Sequence, residues 1–122
     1  MTRTVRYTIE LTGMRGDTAR LVKVGDALVD NVRKYRMGNV VSVTVEPSEY
    51  SIKDEYTGDY HIQTAPGLET ARIVLETTAV ENEDSILADG GYVIRGGLSV
   101  SVVGPGYSGT GYILQVERGD GK

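Results

Sequence analysis

Residues 4–12 and 70–78 carry one pattern twice. Thr4-Val5-Arg6-Tyr7-Thr8-Ile9-Glu10-Leu11-Thr12 aligns without a gap on Thr70-Ala71-Arg72-Ile73-Val74-Leu75-Glu76-Thr77-Thr78. Thr, Arg, Glu and Thr recur in place, and Tyr7 and Ile9 match Ile73 and Leu75 as apolar positions. A second echo sets Gly38-Asn39-Val40-Val41-Ser42-Val43 on Gly111-Tyr112-Ile113-Leu114-Gln115-Val116. A chain that repeats a unit which cannot bury its apolar face alone has to pack the two copies against each other. The reading is a single domain, 1–122, of two pseudo-repeats (3–47 and 70–118) around an unmatched insert (48–69). At 122 residues there is material for one modest core and not for two.

The residue supply says what that core is made of. There is no Phe and no Trp, so Val, Ile, Leu and some of the eight Tyr must fill it, and these suit a pleated, half-buried surface. In residues 3–12, Val5, Tyr7, Ile9 and Leu11 alternate with Arg6, Thr8 and Glu10, the mark of a strand with one wet face. Gly13 is expected to end it. A short helical turn over Thr18–Val22, capped by Asp17, comes next. Further strands are expected at 27–30 and at 40–46, the latter with Val41, Val43 and Val45 on one face and Pro47 as its stop. The insert reads as two extended pieces, 50–56 and 60–64, around a turn at Tyr56-Thr57-Gly58-Asp59-Tyr60, and Pro66-Gly67 punctuates the way into the second copy. The second copy supplies strands at 72–78, 98–103 and 111–117, with a turn over 104–109. The expected fold class is all-β: a small closed or nearly closed barrel from two interleaved β-rich halves, with one or two short helical turns. Closure would remove most exposed edges. Gly25-Asp26 and Gly96-Gly97 stand at matching places, where Gly lets the backbone turn and Asp26 can hold backbone amides.

Composition removes several functions. Net charge is −4, and Arg33, Lys34 and Arg36 form the one basic cluster, so nucleic acid is not an expected partner. Without cysteine there are no disulfides, thiolate metal sites or thiol nucleophiles. No apolar run reaches the roughly 18 residues of a membrane span, and the N-terminus lacks a signal-peptide core, so the chain as it stands reads as soluble.

The motifs with chemical potential have plain structural readings beside them. Gly104-Pro105-Gly106-Tyr107-Ser108-Gly109 spells the dinucleotide fingerprint, but that motif needs a helix after it, and the repeat puts a strand there. A hairpin turn is the better reading. Asp54, Glu55, Asp59 and His61 are the densest set of potential metal ligands, and a charged hairpin explains them as well; no metal or other cofactor is expected. His61 is the lone histidine and has no triad spacing around it. Arg15-Gly16-Asp17 and Arg118-Gly119-Asp120 spell an adhesion tripeptide without a presenting loop. Tyr50, Tyr56 and Tyr60, with Asp59 and His61 in the insert, and Tyr107 and Tyr112 near the last turn, offer aromatic area with polar tips suited to contact. The candidate binding residues are therefore Tyr50, Tyr56, Asp59, Tyr60, His61 and Tyr107; no catalytic residue is expected.

The order of motifs resembles a bacterial family. Ala19-Arg20-Leu21-Val22-Lys23-Val24-Gly25-Asp26 is followed by Met37-Gly38-Asn39-Val40-Val41-Ser42-Val43-Thr44-Val45-Glu46-Pro47. Then come a variable insert, Ala71-Arg72-Ile73-Val74-Leu75-Glu76, Gly91-Tyr92-Val93-Ile94-Arg95-Gly96-Gly97 and a closing Gly109-Thr110-Gly111-Tyr112-Ile113-Leu114-Gln115-Val116-Glu117. Over nearly the whole chain this resembles domain of unknown function 4330. The resemblance implies a domain carried outside the cytoplasm behind one N-terminal membrane helix, which these residues do not include. It implies no activity. The expected function is a non-catalytic interaction or scaffold module on the extracytoplasmic side of a bacterial membrane, with a protein or cell-envelope component as partner. The alternatives are a small-molecule or glycan-binding domain that uses the Tyr-rich insert, and a hydrolase of unrecognised type.

Overall fold

The computed structural model describes residues 2–53, 58, 60–82 and 85–118, with backbone alone at 2, 16, 17, 48–53, 60–67 and 118. The chain is all-β. Its elements are β1 (Thr2–Arg15), a single helical turn α1 (Gly16–Ala19), β2 (Ala27–Asp30), β3 (Arg36–Lys53), β4 (Tyr60–Glu81), β5 (Ile86–Ala88), β6 (Tyr92–Val93), β7 (Ser99–Gly104) and β8 (Tyr107–Arg118). Neighbours run β1-β8-β7-β2-β3-β4, and β4 returns to pair with β1. Six antiparallel strands thus close into a barrel-like ring, and β5 and β6 extend one side of it as a small flap on β4.

Alternation decides what fills the ring. Val5, Tyr7, Ile9 and Leu11 of β1 and Ala71, Ile73 and Leu75 of β4 are all buried, as are Leu28, Val100, Val102 and Ile113 from the far wall. Both halves line one interior. Each fully buried aliphatic side chain contributes about 1.5–3 kcal/mol by leaving water. Tyr7 stands among them, and its hydroxyl donates to the Met37 carbonyl oxygen, which supplies the partner a buried phenol requires.

The pseudo-symmetry reaches down to single bonds. On β1 and β4, Arg6 pairs with Glu76 and Glu10 with Arg72, and Thr8 lies opposite Val74. Replacing each residue by its counterpart in the other copy exchanges the first two pairs and returns the third to itself. A local two-fold axis therefore passes through Thr8–Val74. The bulges obey the same rule. Val41 is skipped between the Val40–Leu75 and Ser42–Val74 pairs, and its counterpart Leu114 is skipped between Ile9–Ile113 and Thr8–Gln115. The extra residue changes the in–out parity, so Val40 and Val43 both reach the core while Leu114 is left 49% exposed.

The same symmetry fixes two glycines. A Cβ on Gly38 would stand 2.5 Å from the Glu76 carbonyl oxygen, and one on Gly111 would stand 1.6 Å from that of Glu10. Both are places where one strand crosses tightly over the other copy's first strand. At the turn ahead of each second strand, the Gly25 amide donates to Val40 O and Val40 N to Asp26 O. In the second copy Gly97 N donates to Ile113 O and Ile113 N to Leu98 O. Gly25 and Gly97 share positive φ, +95° and +89°. The counterpart of Asp26 is thus Leu98, and the expected match of Gly25-Asp26 with Gly96-Gly97 is off by one residue.

Other boundaries differ from expectation for identifiable reasons. Gly13 does not end β1; it occupies a register shift between Leu11 and Met14, after which pairing resumes to Arg15–Leu68. The helical turn, Gly16–Ala19, starts two residues earlier than the expected Thr18–Val22 and overlaps it only at Thr18 and Ala19; its N-cap is Arg15, without a side-chain cap bond, so Asp17 is not the cap. Pro47 does not stop β3, because it sits opposite Glu69 beside a bulge, where a missing N–H costs no regular ladder bond. Pro66-Gly67 likewise lies within β4. The insert is therefore the outer part of one long β3–β4 hairpin. Strand β8 begins at Tyr107, and the turn before it is only Pro105-Gly106.

Alanine at Gly111 or Gly38 forces the crossing strands apart. Each substitution is expected to lower stability by about 2–4 kcal/mol, read as a lower urea midpoint. An unchanged midpoint for both would show that the close crossings are not formed.

Candidate functional site

Beyond Pro47–Glu69 the β3–β4 hairpin leaves the ring. Its pairs run from Glu49–Thr64 through Tyr50–Gln63 and Ile52–His61 to Lys53–Tyr60, while β1 stays with β4 only as far as Leu68. Among the described residues the arm thus has two strand edges with no ring neighbour. It carries Tyr50, Tyr60 and His61, described here by backbone alone, so their register is fixed: Tyr60 lies one pair from His61, and Tyr50 two pairs from the latter's partner Ile52. Tyr56 and Asp59, and with them Asp54 and Glu55, lie outside the described residues. Among the described residues no three His, Asp or Glu side chains group as metal ligands.

Tyr107 belongs to a different place. It is buried, with 6% of its surface exposed, and its ring covers Gly104, where a Cβ would overlap it. Its hydroxyl donates to Asp26 Oδ2 at 2.7 Å, and the same oxygen accepts the Lys23 amide at 3.0 Å. The bond ties the β7–β8 hairpin to the turn that starts β2. The Tyr107 hydrogen bond, and after it the Lys23 amide, hold the Asp26 carboxyl below its usual range. Burial, then Asp26, push the Tyr107 phenol well up. The glycine-rich segment is accordingly a hairpin: Pro105 and Gly106, the latter at φ +83°, are the residue order a type II turn favours, and a strand follows. A dinucleotide has no helix to bind there.

The basic cluster sits on the β2–β3 turn among acids. Asp30 Oδ2 accepts the Arg33 amide at 2.7 Å and Asp89 Oδ2 the Arg36 amide at 2.8 Å. Beside it Tyr35 and Tyr92 meet at 6.1 Å between ring centroids, tilted by 51°. Burial, aided by Asp30, pushes the Tyr92 phenol up to about 12.

The outer wall of β1 and β4 is laced by charge. Arg6 Nε stands 2.7 Å from Glu76 Oε2 and its counterpart Arg72 Nε 3.0 Å from Glu10 Oε2, with Glu46 at 3.5 Å from the same guanidinium. These pairs are solvated and contribute little each, but they place like residues in like positions across the axis. Sequence reasoning missed a recess on the neighbouring β1–β8–β7 wall. Its only signal was outward Ser and Thr at Thr12, Ser99, Ser101 and Thr110, which in a strand pattern reads as an ordinary wet face.

No family model, no curated protein and no solved structure matches this chain.

Two pH limits follow from the tyrosines and Asp26. Asp26 has a depressed folded value, so its contribution is present above its ordinary 3.8 and is lost as pH falls through the lower folded value. Tyr7, Tyr92 and Tyr107 are raised above 10, so the neutral phenols favour the fold below pH 10, and stability falls as pH climbs beyond it. Chemical unfolding against pH is expected to show both flanks, with the acid flank shallower in Asp26→Asn. Phenol absorbance is expected to rise together with alkaline unfolding; full ionisation of all eight tyrosines in a folded chain near pH 10 would contradict the burial.

Proposed function

We propose that this chain is a non-catalytic interaction module working on the extracytoplasmic side of a bacterial membrane, with a protein or other cell-envelope component as its partner. The observation that carries the reading is the arm. Most ring strands are paired on both sides, although β2 covers β3 only over Arg36–Asn39, whereas the arm of β3 and β4 continues past Pro47–Glu69 with no ring partner on either edge among the described residues. Exposed strand edges are sites where a second chain adds main-chain hydrogen bonds. The arm's sequence adds Tyr50, Tyr60 and His61, with Tyr56 and Asp59 between its strands, residue types that bring contact area and polar tips.

The absence of a catalytic part in this reading rests on what the shifted groups do. Tyr7, Asp26, Tyr92 and Tyr107 each have a fold-building partner or burial as the cause of their shift. The location rests on the resemblance to the membrane-anchored bacterial family. Among the described residues no helix is long and apolar enough to cross a membrane, and the reading assigns anchoring to a helix outside them.

Deleting residues 50–64 removes the arm and leaves the ring pairs intact. Capture experiments on cell-envelope extract should recover a partner with the whole chain and lose it with the deletion, while the thermal midpoint of the deletion stays within a few degrees. Equal recovery by both would contradict the role given to the arm.

A further inference from the structure

On the β1–β8–β7 wall, beside the arm's root where Arg15 pairs with Leu68, two shallow recesses join. One, of about 500 Å³, is lined among others by Thr12, Thr18, Asn31, Ser101, Ser108 and Thr110. The second, of about 420 Å³, shares Thr12, Ser101 and Thr110 with it and ends at Tyr112. Arg15 lines the first. Register makes them one groove across β1, β8 and β7: Ser101 pairs with Thr110, Ser99 with Tyr112, and Glu10 with Tyr112 on the other side. From the level of Tyr112, beside Glu10, to Arg15 is five steps along β1, on the order of 15 Å at the usual rise.

Arg15 is the one cationic side chain among the described residues that line the two recesses; in lacking an ion pair it resembles Arg20, Arg33, Arg36 and Arg95 elsewhere. Arg3, Arg6 and Arg72 of the β1–β4 wall are each ion-paired. Arg15 is exposed and has no ion-pair partner among the described residues. Among the described residues no carboxylate lines the recess around it. One carboxylate, Asp30, lines the second recess, and its Oδ2 accepts the Arg33 amide; Glu10, beside Tyr112, holds Arg72. Tyr112 is 57% exposed, with its ring on the outer face.

We infer that this groove binds a short oligosaccharide bearing a carboxylate, a site independent of the arm. A guanidinium takes a carboxylate in a two-bond fork. Ser and Thr hydroxyls both donate and accept, as sugar hydroxyls do. A flat exposed phenol ring offers an apolar face for the C–H side of a pyranose together with a polar tip. A free phosphate would occupy only the Arg15 end, and a neutral saccharide would leave the guanidinium without its counter-charge.

The test is titration of the whole chain with trigalacturonate, maltotriose or inorganic phosphate, read by calorimetry and by amide shifts in NMR. Trigalacturonate is expected to bind and to shift amides from Arg15 through Thr110 to Tyr112, with maltotriose at least tenfold weaker. Arg15→Gln should weaken trigalacturonate at least tenfold and Tyr112→Ala several-fold. Both side chains are exposed, so an unchanged thermal midpoint is expected for each variant. No binding of trigalacturonate, binding indifferent to Arg15→Gln, or phosphate binding as tightly as trigalacturonate would each overturn the inference. Because neither variant touches residues 49–64, loss here and loss of an arm-dependent partner are separate results.

Discussion

The antiparallel pairing of β1 with β4, with Thr8 opposite Val74, is the contact on which the rest of the molecule depends. It is the seam between the two copies, and it closes the ring. Through it Val5, Tyr7, Ile9 and Leu11 come to face the same interior as Ala71, Ile73 and Leu75. A half of about 60 residues exposes too much apolar surface to stand alone. Two halves sharing one core, each with its first strand against the other's, remove that surface together. The close crossings at Gly38 and Gly111 belong to the same arrangement, since each brings a strand onto the backbone of the other copy's first-strand glutamate.

Symmetry also shows where the copies have parted. Asp26 has a hydrogen-bonded turn and a tyrosine, while Leu98 at the matching turn buries carbon against the core. Both keep the same backbone bonds. The turn is therefore a backbone device that Gly25 and Gly97 make possible, and the aspartate is an addition that locks the last hairpin to it. Arg3–Glu81 is an ion pair at 3.4 Å, whereas Arg15, the counterpart of Glu81, has no ion-pair partner among the described residues and stands beside a hydroxyl-lined groove. The proposed functions sit where the repeat is broken, in the arm and around Arg15. That is the expected place for specificity when the repeated positions are committed to packing.

Much of this was legible from residue order. Strict alternation in 3–12 and 72–78, together with the echo at Gly38 and Gly111, led to an all-β closed body of two interleaved halves. The range 27–30 matched β2 to the residue. What escaped were features that local propensity does not encode. Pro47 reads as a stop because a proline lacks an amide, yet beside a bulge opposite Glu69 that amide is not needed. The bulge at Val41 takes that residue out of the ladder, while Val43 and Val45 keep the core-facing side expected of them. Tyr107 resembled a contact residue by type; its burial depends on the partner Asp26 and on a bare Gly104, both set by tertiary packing. The groove was illegible for the opposite reason. Its Ser and Thr residues come from three strands that only the closed ring brings side by side.

Native-state amide hydrogen exchange across β1 and β4 tests the shared seam most directly. If the copies form one body, amides of Val5–Leu11 and Ala71–Ala79 exchange with the same, highest free energy of opening and respond to denaturant as one unit. Separate opening energies for the two stretches, with either half exchanging while the other stays protected, would contradict a single intertwined core.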